Sequence, residues 1–118
     1  GLVEKSDLLR WQWEGYPRFH GSRSNLVLHI LVVPIFLVCN VALLRFLIEL
    51  SWLGIVASVA GMGLSVALQG RGHQSEDVPP EPFTGPGDAL RRIFVEQWIT
   101  FPRFVLSGGW LRALRGPK

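Results

Sequence analysis

Three histidines carry the clearest chemical signal in this chain of 118 residues: His20, His29 and His73. One uncharged apolar stretch, residues 26–44, contains His29, and a second, residues 50–68, ends shortly before His73. If both stretches are helices joined as a hairpin, their outer ends lie at the same level and the three imidazoles gather there. Neutral imidazole is the commonest metal ligand among side chains, so this spacing predicts a metal site.

Two carboxylates, Glu76 and Asp77, follow His73 closely and are candidate ligands. Histidines combined with one carboxylate and open coordination positions are typical of non-haem Fe(II) oxygenases. Three histidines and one of these carboxylates would still leave positions for O2 and a substrate. Without a metal, both carboxylates would belong to an ordinary solvated acidic loop.

Two amide side chains are placed to support the histidines. Asn25 precedes His29 by four residues on the same helical face, so it can hydrogen-bond a ring nitrogen. Gln69 lies at the end of the second apolar stretch. Such bonds fix the tautomer of metal-bound imidazoles. Without a metal, His29 would be a neutral imidazole bonded to a backbone carbonyl.

The elements that position these residues are predicted to be two membrane-spanning helices, residues 25–44 and 50–69. Each uncharged stretch would cover roughly 28 Å as a helix, close to the roughly 30 Å hydrocarbon core of a bilayer. The alternative is a buried hairpin in a soluble helical domain. We disfavour it because the rest of the chain is too short to cover two such helices.

The cations follow this topology. Only Arg45, among twelve lysines and arginines, lies between the two stretches. The positive-inside rule therefore places both termini in the cytoplasm, with the spans in the inner membrane if the protein is bacterial. The net charge of +3 then indicates contact with anionic lipid headgroups rather than with nucleic acid.

Amphipathic segments flank the predicted hairpin. Residues 6–20 and 88–101 have apolar and aromatic side chains at helical spacing, and we expect each to lie on the membrane surface. Between the hairpin and the second segment is a Pro- and Gly-rich loop, residues 70–87. A basic tail, residues 102–118, follows. The sequence thus predicts one all-α membrane domain, residues 1–118, in which two interfacial helices flank a transmembrane helical hairpin.

A stripe of small residues marks the second span. Ala57, Gly61 and Ser65 recur every four residues, a pattern that suits close packing on another helix. That helix belongs either to the first span or to another protein, in a homo-oligomer or a larger membrane complex.

Two further functions fit the same features. The compact hairpin, its small-residue stripe and its amphipathic helices would suit a non-catalytic subunit of a larger integral membrane complex. His29, inside a span, could instead be an axial ligand to haem or chlorophyll.

The combined pattern resembles a known family. It consists of His20-x4-Asn25-x3-His29-x4-Pro34 at the first span and Gln69-x2-Gly72-His73 after the second. Over residues 11–110, this is similar to the small membrane-protein family, formerly a domain of unknown function, typified by the yeast endoplasmic-reticulum 2-hydroxy fatty acid dioxygenase of phytosphingosine breakdown. The family loop has Glu four residues after the Gly-His pair, where this chain has Asp77.

The resemblance implies Fe(II)-dependent α-oxidation, in which O2 converts a 2-hydroxy fatty acid to the acid that is one carbon shorter. The three histidines would be the iron-site residues and Asn25 would support them. A metal at the headgroup boundary can meet the polar head of a fatty acid while the alkyl chain stays in lipid. Arg71 or Arg18 would then hold the substrate carboxylate, as Arg commonly does.

Overall fold

The computed structural model describes residues 7–116, and this part of the chain contains helices and no strands. The six α-helices are α1 (Leu8–Phe19), α2 (Arg23–Glu49), α3 (Trp52–Gly72), α4 (Pro86–Val95), α5 (Phe101–Leu106) and α6 (Gly109–Arg115). A 3₁₀ turn, His73–Ser75, extends α3, and a π-helical turn, Glu96–Thr100, joins α4 to α5. The all-helical prediction is confirmed. The predicted start of the first helix at Ser6 and the last two residues of the tail lie outside the described residues.

Two helices are long and apolar enough to cross a membrane, as predicted. They cover Arg23–Glu49, 27 residues, and Trp52–Ser75, 24 residues. The rest of the described chain buries only 28% and 17% of their most apolar windows. Large apolar side chains such as Ile48 and Leu53 are more than 80% exposed, so this part of the protein does not cover them.

The two long helices pack against each other in antiparallel directions. Gly61 lies against Cys39, and the Ser65 hydroxyl donates a 2.7 Å hydrogen bond to the Val32 carbonyl. Gly61 and Ser65 thus contact the first long helix, while Ala57 is exposed. Two of the three residues in the small-residue stripe are therefore used within the chain.

The helices approach each other closely where α3 ends, and Gly72 permits this approach. A Cβ at Gly72 would overlap the side chains of Asn25 and Leu28.

Gly72→Ala is therefore expected to lower the free energy of unfolding by about 1–3 kcal/mol, because the added methyl forces two packed helices apart. Thermal unfolding in detergent measures this. Gly63→Ala is the matched control, because a Cβ there meets no described atom within 4 Å and Ala favours the helix by about 1 kcal/mol. Equal stability of the two variants would contradict this packing.

Helix α2 extends beyond its predicted span at both ends, and α3 extends beyond its span at the C-terminal end. Helix α2 continues to Glu49, where Arg45 donates a 2.9 Å hydrogen bond to that carboxylate one turn later. The connection between the two long helices is thus a tight turn at residues 50–51. Leu50 adopts the left-handed conformation (φ 55°) and Ser51 caps α3.

The helical structure continues past residue 101, where the second amphipathic segment was predicted to end. Pro102 lies near the start of α5, directly after the π-helical turn. In a regular α-helix, the Pro102 ring would press on the carbonyl four residues earlier. The wider π turn accommodates the ring, so the helical path continues through residues 102–106 and the predicted tail contains α5 and α6.

Helix α1 and the C-terminal helices assemble at the outer end of the two long helices. Gln12 donates a 2.8 Å hydrogen bond to the Arg92 carbonyl, and the Trp110 indole donates a 2.9 Å bond to the Leu26 carbonyl. A small core lies beneath them, composed of Tyr16, Leu26, Val33, Phe101 and Phe104. This assembly covers the end of the hairpin where the histidines are found.

Candidate metal centre

The structure brings the three histidines together. Their ring centroids are 4.7 Å apart for His20 and His73, 5.0 Å for His20 and His29, and 5.2 Å for His29 and His73. His20 occupies the turn between α1 and α2, His29 lies two turns into α2, and His73 directly follows α3. Three different elements therefore supply one cluster.

Backbone carbonyls fix the tautomers of two of these histidines. Nδ1 of His20 lies 3.0 Å from the Tyr16 carbonyl, and Nδ1 of His29 lies 3.0 Å from the Asn25 carbonyl. A carbonyl can only accept, so Nδ1 carries the proton in both rings. Each Nε2 then presents a lone pair to the cluster, as in metal-bound imidazoles whose other nitrogen donates to a carbonyl.

The inward nitrogens have no hydrogen-bond partner in the described part of the chain. These are Nε2 of His20, Nε2 of His29 and Nδ1 of His73, and all three are buried. A buried polar atom without a partner costs about 1–3 kcal/mol, so three in one place call for an explanation. A metal ion would accept all three lone pairs at once.

Glu96 is the fourth member of the cluster. Its Oε2 lies 3.4 Å from Nε2 of His20 and 3.7 Å from Nε2 of His29. One ligand atom from each of the four residues lies within 4.8 Å of the others. Imidazole nitrogens and a carboxylate oxygen suit transition metals such as zinc, copper and iron, so the residues present fit a divalent metal ion.

Tyr16 holds the Glu96 carboxylate in place. Its hydroxyl donates a 2.7 Å hydrogen bond to Oε2 of Glu96, and its ring stacks on His20 with centroids 3.7 Å apart. Burial alone would raise the pKa of Glu96, but the imidazoles of His20 and His29, which are protonated at low pH, and the Tyr16 hydroxyl outweigh it and lower the pKa to about 2. Burial, with the negative charge of Glu96, raises the pKa of Tyr16 well above its usual value of 10.0. Glu96 is thus an ionised acceptor and Tyr16 a neutral donor.

The predicted carboxylate ligands lie outside this cluster. Glu76 accepts hydrogen bonds from the backbone N–H groups of Gly21 and Ser22 and from the Asn25 amide, at 2.8–3.1 Å. It ties the turn that carries His20 to the segment after α3. Asp77 is exposed. The carboxylate that faces the histidines is Glu96, because the Glu76 side chain is already engaged by the turn.

The two predicted supporting amides act differently from the prediction. Asn25 supports His29 through its backbone carbonyl, because its side chain is bonded to Glu76. Gln69 forms a reciprocal pair with Gln97, with hydrogen bonds of 2.9 and 2.8 Å, and also donates to Ser65. The described hydrogen bonds of Gln69 therefore connect α3 to the π turn, and none of them reaches a histidine.

A cavity of about 320 Å³ opens beside the cluster. His20, His73 and Glu96 line one part of it, and much of the remaining wall is apolar or aromatic, including Val66 and Ile93. Such a combination of apolar walls with a few convergent polar groups is typical of ligand sites. A small molecule in this cavity would reach the candidate metal ligands directly.

Arg18 and Arg71, the predicted substrate-binding arginines, do not line this cavity in the described part of the chain. Both side chains are exposed. Arg18 lies over the Phe19 ring at 4.7 Å, and Arg71 projects from the end of α3. The arginine at the cavity is Arg92, which is 8% exposed. Its guanidinium donates to the carbonyls of Glu81 and Pro82 at 2.8 and 3.0 Å.

Glu96 and Arg92 were missed because sequence periodicity placed them off the apolar stripe of an amphipathic helix. The available signal was Pro102, which requires an irregular turn in any helix that passes through it. π turns inside helices often occur at functional sites.

No protein-family model matches the chain, and neither a curated protein nor a solved structure matches it.

Proposed function

We propose that this protein is an Fe(II)-dependent membrane dioxygenase that shortens 2-hydroxy fatty acids by one carbon, and that it belongs to the family that its sequence resembles. The observation that carries this proposal is the cluster of His20, His29, His73 and Glu96, whose three inward nitrogens are buried without partners. The cluster borders a largely apolar cavity. A redox metal beside an apolar cavity suits the oxidation of a lipid.

We also place α2 and α3 across the membrane. Their apolar side chains remain largely exposed after the rest of the described chain has packed on them, and lipid would cover those surfaces. All lysines and arginines except Arg45 lie outside the connection between the two apolar stretches, so both termini face the cytoplasm. The metal centre then lies at the cytoplasmic boundary of the bilayer, where a fatty acid head can reach it.

The reaction balances with O2 as the only co-substrate. A 2-hydroxy acid and one O2 give the acid one carbon shorter, one CO2 and one water, which is a four-electron oxidation. Bound by the three histidines and Glu96, Fe(II) would supply O2 activation and a chelation point for the carboxylate and 2-hydroxyl oxygens of the substrate. The buried Tyr16 hydroxyl and the carbonyl-bonded imidazoles keep the ligand atoms oriented, and the apolar walls limit access of water.

The geometry favours this function over a haem or chlorophyll site at His29. The His29 ring is fully buried among the rings of His20, His73 and Phe101, with centroids 5.0–5.9 Å away. A macrocycle needs an open face beside its ligand, and in the described chain the cavity borders His20 and His73 but not His29. A non-catalytic subunit would not require the three unpartnered nitrogens.

Turnover by the purified protein tests the proposal. Supplied with Fe(II) and 2-hydroxyhexadecanoate in detergent, the protein is expected to form pentadecanoate and consume O2 in equal amounts, measured by mass spectrometry and an oxygen electrode. Hexadecanoate, which lacks the chelating hydroxyl, should not be converted. Protein that carries iron yet forms no shortened acid would refute the oxygenase and leave the metal centre intact.

A further inference from the structure

One face of α3 leads from the apolar span to the metal ligands. Val66, Gly70 and His73 all line the cavity, and their spacing of four and three residues places them along one helical face. The path from Val66 to His73 is about 10 Å long. The cavity therefore extends along the helix, from its polar end at the cluster towards residues inside the second apolar helix.

Gly70 leaves space along this path. A Cβ at Gly70 would meet no described atom within 4 Å. Gly61 and Gly72, in contrast, lie against Cys39 and Asn25, so close helix packing accounts for those glycines. Packing between the described helices does not account for Gly70, whose missing side chain instead widens the cavity.

Other lining residues are also apolar or aromatic. Ile93 of α4 and Phe83 of the proline-rich loop both line the cavity. Arg92 binds that loop through the carbonyls of Glu81 and Pro82 and lies over the Phe83 ring at 4.5 Å. These contacts hold the loop where Pro82 and Phe83 line the cavity.

We propose that Gly70 and Val66 form the subsite for the alkyl chain of a single-chain amphiphile whose acidic, chelating head lies at His73 and Glu96. The inference rests on the proposed function and specifies how its substrate is bound. The head needs the polar end of the cavity, because the metal ligands are there. The chain follows the apolar wall past Gly70 and Val66 and continues into lipid, because Val66 lies within a lipid-exposed helix.

Gly70→Leu tests the subsite by filling it. Replacing Fe(II) by Co(II) gives a centre whose visible absorption changes when the head of a ligand coordinates, without turnover. We expect Gly70→Leu to weaken binding of 2-hydroxyhexadecanoate about tenfold, as the loss of burial of about two methylene groups predicts. Binding of 2-hydroxybutanoate, which has no long chain, should stay within about twofold of wild type. Gly63→Leu, on an open surface of the same helix, should bind both ligands as wild type does.

Several outcomes would overturn the subsite. Unchanged 2-hydroxyhexadecanoate binding in Gly70→Leu means that the chain does not lie there, and an equal loss for both ligands means that Gly70 acts on the head. If Gly70→Leu does not take up Co(II), binding of the same two ligands is measured with Val66→Phe, and the same results are expected. If the wild type does not take up Co(II), the metal centre fails. Calorimetry of the metal-free protein with 2-hydroxyhexadecanoate then tests the subsite alone, and the absence of Gly70-dependent binding refutes it.

Discussion

Replacing His29 with alanine is expected to weaken binding of Fe(II) by more than about 100-fold, since even residues that only support ligands contribute 10–100-fold. His29 is fully buried, its Nδ1 proton is held by the Asn25 carbonyl, and its Nε2 faces Glu96. Alanine removes one of the donor nitrogens and leaves a void that no other described ligand fills. Competition titration with a chromophoric chelator under anaerobic conditions measures the dissociation constant.

The control for this variant is Ser58→Ala, which removes a buried polar group from α3 outside the four-residue cluster. It should bind Fe(II) as the wild type does. Thermal unfolding in detergent, run on both variants without metal, separates loss of a ligand from loss of the fold. If His29→Ala is folded and retains wild-type affinity, His29 is not a ligand.

Replacing Glu96 with glutamine is expected to weaken Fe(II) binding by about 100-fold, at the upper end of the effects of residues that support ligands, whereas Glu76→Gln should cost about tenfold, at the lower end. Glu96 faces His20 and His29 as a partly buried carboxylate whose pKa is lowered to about 2. Glutamine keeps its size but removes its negative charge. Glu76 is bonded to the turn at Gly21 and Ser22 and acts on the cluster only by holding that turn.

These two isosteric variants decide which carboxylate belongs to the candidate metal centre. The measurement is the same chelator competition, accompanied by the unfolding temperature of each metal-free protein. Glu76→Gln is expected to lower that temperature, because one of the backbone N–H groups loses a charged acceptor. A larger affinity loss for Glu76→Gln than for Glu96→Gln would reverse the assignment and restore the carboxylate that the sequence predicted.

The convergence of the histidines was predictable because it depends only on coarse topology. Two apolar stretches of equal length, joined by a short turn, place His29 and His73 at the same end of a hairpin. The close approach needed at that end is also visible in the sequence, since Gly72 immediately precedes His73. His20 followed because only a short turn separates it from the second helix.

The identity of the carboxylate could not be predicted from local sequence. Glu76 and Asp77 are near His73 in the chain, but proximity does not reveal that the Gly21 and Ser22 amides compete for the Glu76 side chain. Glu96 comes from a helix distant in sequence, and the π turn that begins there sets its direction. Only the tertiary packing of that helix beside α1 and α2 places it at the cluster.

The predicted helix ends were wrong because they relied on single residues that usually interrupt helices. The second amphipathic segment was predicted to end at residue 101, directly before Pro102, but the preceding π turn accommodates the proline ring. Arg45 and Glu49 lie between the two predicted spans, residues 25–44 and 50–69. They pair with each other one helical turn apart, so they are compatible with the last turns of a helix at the edge of a membrane.

The metal content of the purified protein tests the central claim most directly. Protein produced with iron and purified anaerobically is expected to contain about one metal ion per chain, and a variant with His20, His29 and His73 all replaced by alanine about none. Elemental analysis of both, after each is shown to be folded, gives the answer. Equal metal content in the two proteins, or a folded wild type without metal under these conditions, would contradict the metal centre.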